Sequence, residues 1–336
     1  MFASLFGAVE SGIIYAIMAL GVYLSFRILD FPDLTVDGSF VTGAGTAAIL
    51  IVHGQNPFLA TIAGGLAGFI AGCITGILHT KGKINPLLSG ILMMIALYSV
   101  NLRIMDQKPN VPLLGQETSF SMMTSFWQKL GLDAPFNSFL EMVGLGDSLP
   151  KTWGIFFFMI IVVILIKLIT DWFLKTEVGL AIRAVGDNKR MIRSLSANTD
   201  RLTVLGLGIS NALVAFSGAL IAQYGAFADV GMGIGMIIIG LASVIIGEAL
   251  FGTKSIARAT LAVILGAIIY RVILAIALRI EFLDTGDMKL ITAVIVIFSL
   301  VLPKVIEANK EKRRRAKKRQ AWQKAVKGEG DDIAST

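Results

Sequence analysis

Apolar residues run along this chain in blocks of about twenty, long enough to cross a hydrocarbon core of about 30 Å as helices. The blocks fall at roughly 7–25, 36–52, 58–79, 85–104, 154–174, 203–224, 232–250, 257–279 and 288–303. They predict an all-α polytopic membrane protein with about nine transmembrane helices, within a range of about eight to ten. A β-barrel would instead alternate in segments of about ten residues. Glycines cluster inside the blocks, as in "AGGLAGFIAG", where small residues let helix backbones approach closely. Asp229–Gly240 differs, because glycine at nearly every second position does not suit one continuous helix. A broken or re-entrant element facing a cavity is predicted there. The opening "MFASLFGAVESGIIYAIMALG" has no basic leader and no clear small-residue cleavage site, so it reads as a retained first span.

Composition agrees: 55% of the 336 residues are hydrophobic and 16% charged, too few polar groups to cover a water-facing exterior. Charge then orients the spans. The formal net charge of +7 is concentrated in certain loops and in "KEKRRRAKKRQ" near the C-terminus. That placement fits the positive-inside rule and attraction to anionic lipid headgroups better than nucleic-acid binding. With an odd number of spans and the basic tail cytoplasmic, the N-terminus lies outside. The 175–201 loop, with six Lys/Arg against three Asp/Glu, then falls inside. The loop from Asp106 to Lys151, with three Lys against five acids, falls outside. The expected organisation is a transmembrane domain over 1–303, with an external loop at 105–152 and a cytoplasmic loop at 175–201, followed by a basic cytoplasmic tail, 304–336.

No catalytic constellation emerges, and no metal site is expected. His53 and His79 have no metal-ligand spacing, and no GxxxxGK[ST] phosphate loop occurs. The single cysteine, Cys73, lies in an apolar block and reads as a small hydrophobe. Charges and amides inside spans are the remaining candidates, since a charge in hydrocarbon is costly. Asp33 and Asp37 lie in "DFPDLTVDGSF", where Pro32 pushes Phe31 out of helical geometry and breaks the chain between helices. Either Asp33 and Thr35 cap the next helix, or the break lines a polar pathway. Asn85, Asn101, Asn211 and Gln223 join Asp33 and Asp37 as candidate pathway residues. Glu10 and Glu248 are also set in apolar surroundings.

The stretch "KTEVGLAIRAVGDNKRMIRSLSANTDR" is basic, yet it keeps a helical rhythm between two long apolar blocks. Leu180, Ile182, Ala184 and Val185 make a short apolar turn or two, and Gly186 is placed to end it. Asp187 or Asn188 can cap a second short helix carrying Met191, Ile192 and Leu195. Two such helices present an apolar knob rimmed by positive charge, suited to a groove on a cytoplasmic partner. An amphipathic hairpin lying on the membrane is the plainer alternative.

This stretch resembles the coupling loop of ABC-importer permeases of the branched-chain amino acid, sugar and nucleoside group. The likeness is carried by "GIIYAIMALGVYLSFRILDFPDLTVDGSFVTGAG", "TEVGLAIRAVGDNKRMIRSLSAN" and "IGEALFGTKSIARATLAVILGAIIYRVI", in the family's order. The resemblance implies a bacterial plasma-membrane transport subunit that is not itself an enzyme. It implies two permease copies, cytoplasmic ABC ATPases that hold the ATP and Mg, and an external binding (lipo)protein that delivers substrate. The permease itself then needs no cofactor. It implies ATPase coupling through Glu177, Gly179, Arg183, Ala184, Gly186, Asp187, Asn188 and Arg190. The run "DFPDLTVDGSF" resembles amino-acid permeases, some for tryptophan or tyrosine, with nucleosides or sugars as the alternative cargo. A gradient-driven transporter that needs no ATPase is the competing class.

Overall fold

A computed structural model describes residues 2–142, 150, 152–194 and 197–278, together with residues 290, 291, 293–295, 297, 298 and 301. Its helices are α1 (Phe2–Tyr23), α2 (Thr35–Val52), α3 (Pro57–Thr80), α4 (Pro86–Ile104), α5 (Ser119–Lys129), α6 (Asp133–Met142), α7 (Gly154–Phe173), α8 (Glu177–Ser194), α9 (Thr199–Gly225), α10 (Met236–Phe251) and α11 (Ile256–Ala277). Two short strands, β1 (Asn110–Pro112) and β2 (Phe227–Asp229), pair antiparallel with Val111 opposite Ala228.

Seven of the nine expected blocks are helices long and apolar enough to cross a membrane. The block at 232–250 departs from expectation. Its first residues form an irregular turn, and the helix that follows, α10, has only 16 residues. The block at 288–303 lies mostly outside the described residues, as do Leu195 and the 304–336 tail.

Local chemistry sets several boundaries. Asn56 and Asn85 each precede a proline at the first helical position and accept the amide of Phe58 (2.9 Å) and Leu87 (3.0 Å). α9 is the central post, in contact with α1, α2, α3 and α8. Its seam with α3 runs along Gly64, Gly68, Gly72 and Gly76. A Cβ at Gly68 would collide with Ala215, and one at Gly72 with the Leu207 carbonyl. α1 is buried on most sides against α7, α9 and α11. The opposite face of α3 (Leu59, Ile62, Leu66, Ile70) and one face of α7 (Ile161, Leu165, Leu168) are exposed apolar rows suited to lipid.

The 105–152 loop is built onto the bundle. β1 pairs with β2, and Thr118 and Ser121 form a capping box at the start of α5. Trp127 stacks on Phe157 of α7 with ring centroids 5.3 Å apart. Its indole N–H donates to Asp133 (2.9 Å).

Candidate translocation site

Two interruptions of helical backbone meet near the middle of the bundle. The first follows α1, which widens into a π-helical turn at Leu24–Ile28 before the chain leaves helical geometry. Asp30 takes φ 51°, and the Phe31 amide reaches back to the Ser25 carbonyl at 2.9 Å. The chain then climbs into the bundle. Asp33, fully buried, accepts the Thr35 amide (2.9 Å) and the Asn211 side-chain amide (2.6 Å). Asn211 also donates to the Leu207 carbonyl (3.0 Å), while the Thr35 and Thr75 hydroxyls meet at 2.8 Å. These bonds pin the start of α2 to α9 and α3. Asp33 thus covers an otherwise orphaned helix-start amide, as expected of a cap.

The second interruption precedes α10. From the end of β2 the chain passes through a turn at 230–235, with Gly235 at φ 86°. Asp37 on α2 closes it: its carboxylate accepts the amides of Gly235 (2.9 Å) and Ile237 (2.8 Å), the first donors of α10. Gly233 lies so close to the Asp37 carbonyl that a Cβ would collide. The glycine-rich run therefore does break, as its spacing predicts. Asp37 is fifteen residues from the end of α2 at Val52. At about 1.5 Å per residue that is about 22 Å, well inside a hydrocarbon core of about 30 Å.

Between this turn and α4 lies a cavity of about 500 Å³, lined by Asp37, Gly38 and Val41, by Met94, Ile95, Tyr98, Ser99 and Asn101, and by Val230, Gly233 and Ile234. It opens on the side of the helix bundle, where Ile95, Tyr98 and Ile234 are 61%, 54% and 65% exposed. Asn101 is oriented by its bonds to the Gly38 carbonyl (3.1 Å) and the Thr42 hydroxyl (2.8 Å).

Of the six candidate pathway residues, only Asp37 and Asn101 reach this cavity. Asp33 and Asn211 form the buried pin behind it. Asn85 is the cap of α4, and Gln223 sits under the 105–152 loop, bonded to Thr61 (2.7 Å) and to Ser119 (2.8 and 2.9 Å). Tyr98 and Ser99 are not singled out by the sequence pattern, although both interrupt the apolar run of α4 just before Asn101. Nor is a buried charged network. Lys167 pairs with Asp171 at 2.6 Å, and Asp171 accepts the Thr260 hydroxyl at 2.6 Å, tying α7 to α11. Glu10 accepts from the Tyr224 hydroxyl (3.1 Å), and Glu248 pairs with Arg27.

The basic segment folds as α8. Its helix runs through Gly186, contrary to expectation, and departs from helical geometry at Asn188 (φ −153°, ψ 87°). Asn188 then caps the following turn by accepting the Met191 amide at 3.1 Å. Gly186 instead lets α8 lie against the Ile28 carbonyl, where a Cβ would collide. Gly179 meets the Phe173 and Leu174 backbone in the same way. Ile182, Val185 and Ile192 are buried with Leu29, Phe31 and Leu207. Glu177, Leu180, Asp187, Asn188, Arg190 and Met191 face outward. A polar groove of about 750 Å³ is lined by Arg27, Ile28 and Asp30 on one side and by Leu180, Arg183, Ala184, Gly186 and Asp187 on the other.

The arrangement contains grooves, caps and hinges and no assembled reacting groups among the described residues. A family model described as "Branched-chain amino acid transport system / permease component" matches residues 4–301. The chain belongs to this permease family. The tyrosine transport system permease protein of Clostridioides difficile is 41% identical over 295 residues, covering 88% of this permease and 90% of the relative. An uncharacterized Rickettsia prowazekii protein is 35% identical over 297 residues, 87% and 95% of the two chains. The fructose import permease of Bifidobacterium longum is 28% identical over 314 residues, 91% and 80%. No solved structure matches the permease. It is a polytopic membrane transport subunit and not an enzyme.

Proposed function

We propose that the permease is the transmembrane subunit of an ATP-driven importer for an amino acid, with an aromatic amino acid such as tyrosine as the leading substrate. The observation that carries this is the packing of α8 directly on the broken segment that leads into Asp37, at the wall of the cavity, in a chain 41% identical to a tyrosine transport permease. The exposed side of α8 is the docking face for a cytoplasmic ATPase, which holds ATP and Mg. Movement of α8 presses through Gly186 on Ile28. Segment 24–37 carries the movement onward, because Asp33 fastens it to α9 and Asp37 fastens it to α10. One wall of the cavity is the turn that Asp37 holds, so the wall follows α8.

A second copy of the permease closes the cavity. The mouth brings a carboxylate, Ser99 and the non-helical backbone of 230–235 to a side surface at membrane depth. Hydrocarbon does not tolerate such groups, whereas a protein partner or a watered pathway does. The N-terminus and the 105–152 loop face outward, where an external binding protein delivers substrate to the loop. The basic tail and α8 face the cytoplasm and its anionic lipids.

Proteoliposomes containing the permease with its ATPase and binding protein test the reading. ATP-dependent uptake of L-tyrosine is expected. The double variant Arg183→Glu/Gly186→Pro is expected to insert normally but to lose most of that uptake while ATP is still hydrolysed. Equal uptake by the permease alone, driven only by an ion gradient, would overturn the assignment.

A further inference from the structure

We infer that the cavity beside Asp37 binds a zwitterionic aromatic amino acid, with the ammonium on the Asp37 carboxylate and the ring against Tyr98. The inference rests on the importer reading and names the chemistry of the substrate at that site. Asp37 makes no ion pair among the described residues. Its two oxygens accept the Gly235 and Ile237 amides, one each, and the Met236 amide also points at the carboxylate. A carboxylate offers about four acceptor directions, so about one remains unspent on the side chain that borders the cavity. The same amides, at the positive end of α10, hold the carboxyl group in place beside the cavity. A carboxyl group at membrane depth favours a cationic partner and disfavours an anionic one.

The other walls select the rest of the ligand. Val41, Met94, Ile95, Val230 and Ile234 are apolar, and Tyr98 adds an exposed aromatic face. A volume of about 500 Å³ accommodates an aromatic amino acid. The exposed Ser99 hydroxyl is the donor available to its carboxylate, with the buried Asn101 amide behind it. A sugar would leave most of its hydroxyls facing hydrocarbon side chains, an expensive mismatch.

The test reads occupancy directly. Ser99→Cys is introduced in a Cys73→Ala background of the full permease–ATPase complex, and its alkylation by a small maleimide is timed. L-Tyrosine is expected to slow alkylation about tenfold or more at saturation. The same concentration of 3-(4-hydroxyphenyl)propanoate, which lacks the ammonium, is expected to leave it unchanged. Adding Asp37→Asn is expected to weaken protection by tyrosine about tenfold or more, the loss of one charge-assisted contact. Ile95→Cys, reporting from the same cavity, repeats the measurement should Ser99→Cys fold poorly. Equal protection by the two compounds, or protection by ribose, would overturn the inference. So would undiminished protection in a folded Asp37→Asn protein. Absence of ATP-driven uptake with normal protection would overturn the importer reading instead.

Discussion

The two backbone breaks of this permease solve one problem in opposite surroundings. Both leave the first amides of a helix without partners inside a membrane protein, and both are repaired by an aspartate from one short stretch, "DFPDLTVD". At the first break Asp33 is sealed: no solvent reaches it, and Asn211, Thr35 and Thr75 surround it. At the second, Asp37 repairs α10 from one side and faces a cavity on the other. A sealed cap can serve only to hold the chain. An open one can hold the chain and meet a ligand as well.

The comparison is broken most severely by Asp33→Ala. It strands the Asn211 amide and the Thr35 N–H in the interior, at a cost of about 2–4 kcal/mol. Thermal unfolding in detergent is expected to show a large drop, with poor recovery of folded permease. Asp37→Ala is expected to cost less stability, about 1–2 kcal/mol for a lost cap. Its larger effect falls on uptake, so its transport defect exceeds its stability defect where Asp33→Ala shows the reverse. Asn85→Ala is the control for an ordinary cap away from the cavity. It is expected to cost about 1 kcal/mol, visible as a slightly lower melting temperature, with uptake close to that of the parent.

Much of this architecture is legible in the sequence because its signals are local. Apolar block lengths mark the seven long spans, and the alternating glycines of 229–240 announce the irregular turn. Partners are harder to read, since they depend on which distant segments meet. Asp37 and Ile237 are 200 positions apart, and nothing near Asp37 distinguishes a cap for its own helix from a cap for another. The same limit explains why Gln223 looks equal to Asn101 as a pathway residue in the sequence. Each is an amide in an apolar setting, and only packing sends Gln223 under the 105–152 loop and Asn101 to the cavity. Asn85 differs, because the proline after it marks it as a helix start. Gly186 shows the complementary difficulty. Glycine after a helical run ends a helix or admits a neighbour, and the neighbour here, Ile28, comes from a distant part of the chain.

The glycine seam between α3 and α9 has a mechanical meaning. Where backbone meets backbone there are no long side chains to change rotamer, so neither helix can slide or turn without steric collision. The pair is a fixed stave in the wall of the transporter. Any rocking during a cycle is therefore borne elsewhere, above all by the non-helical stretch of chain between α1 and α2.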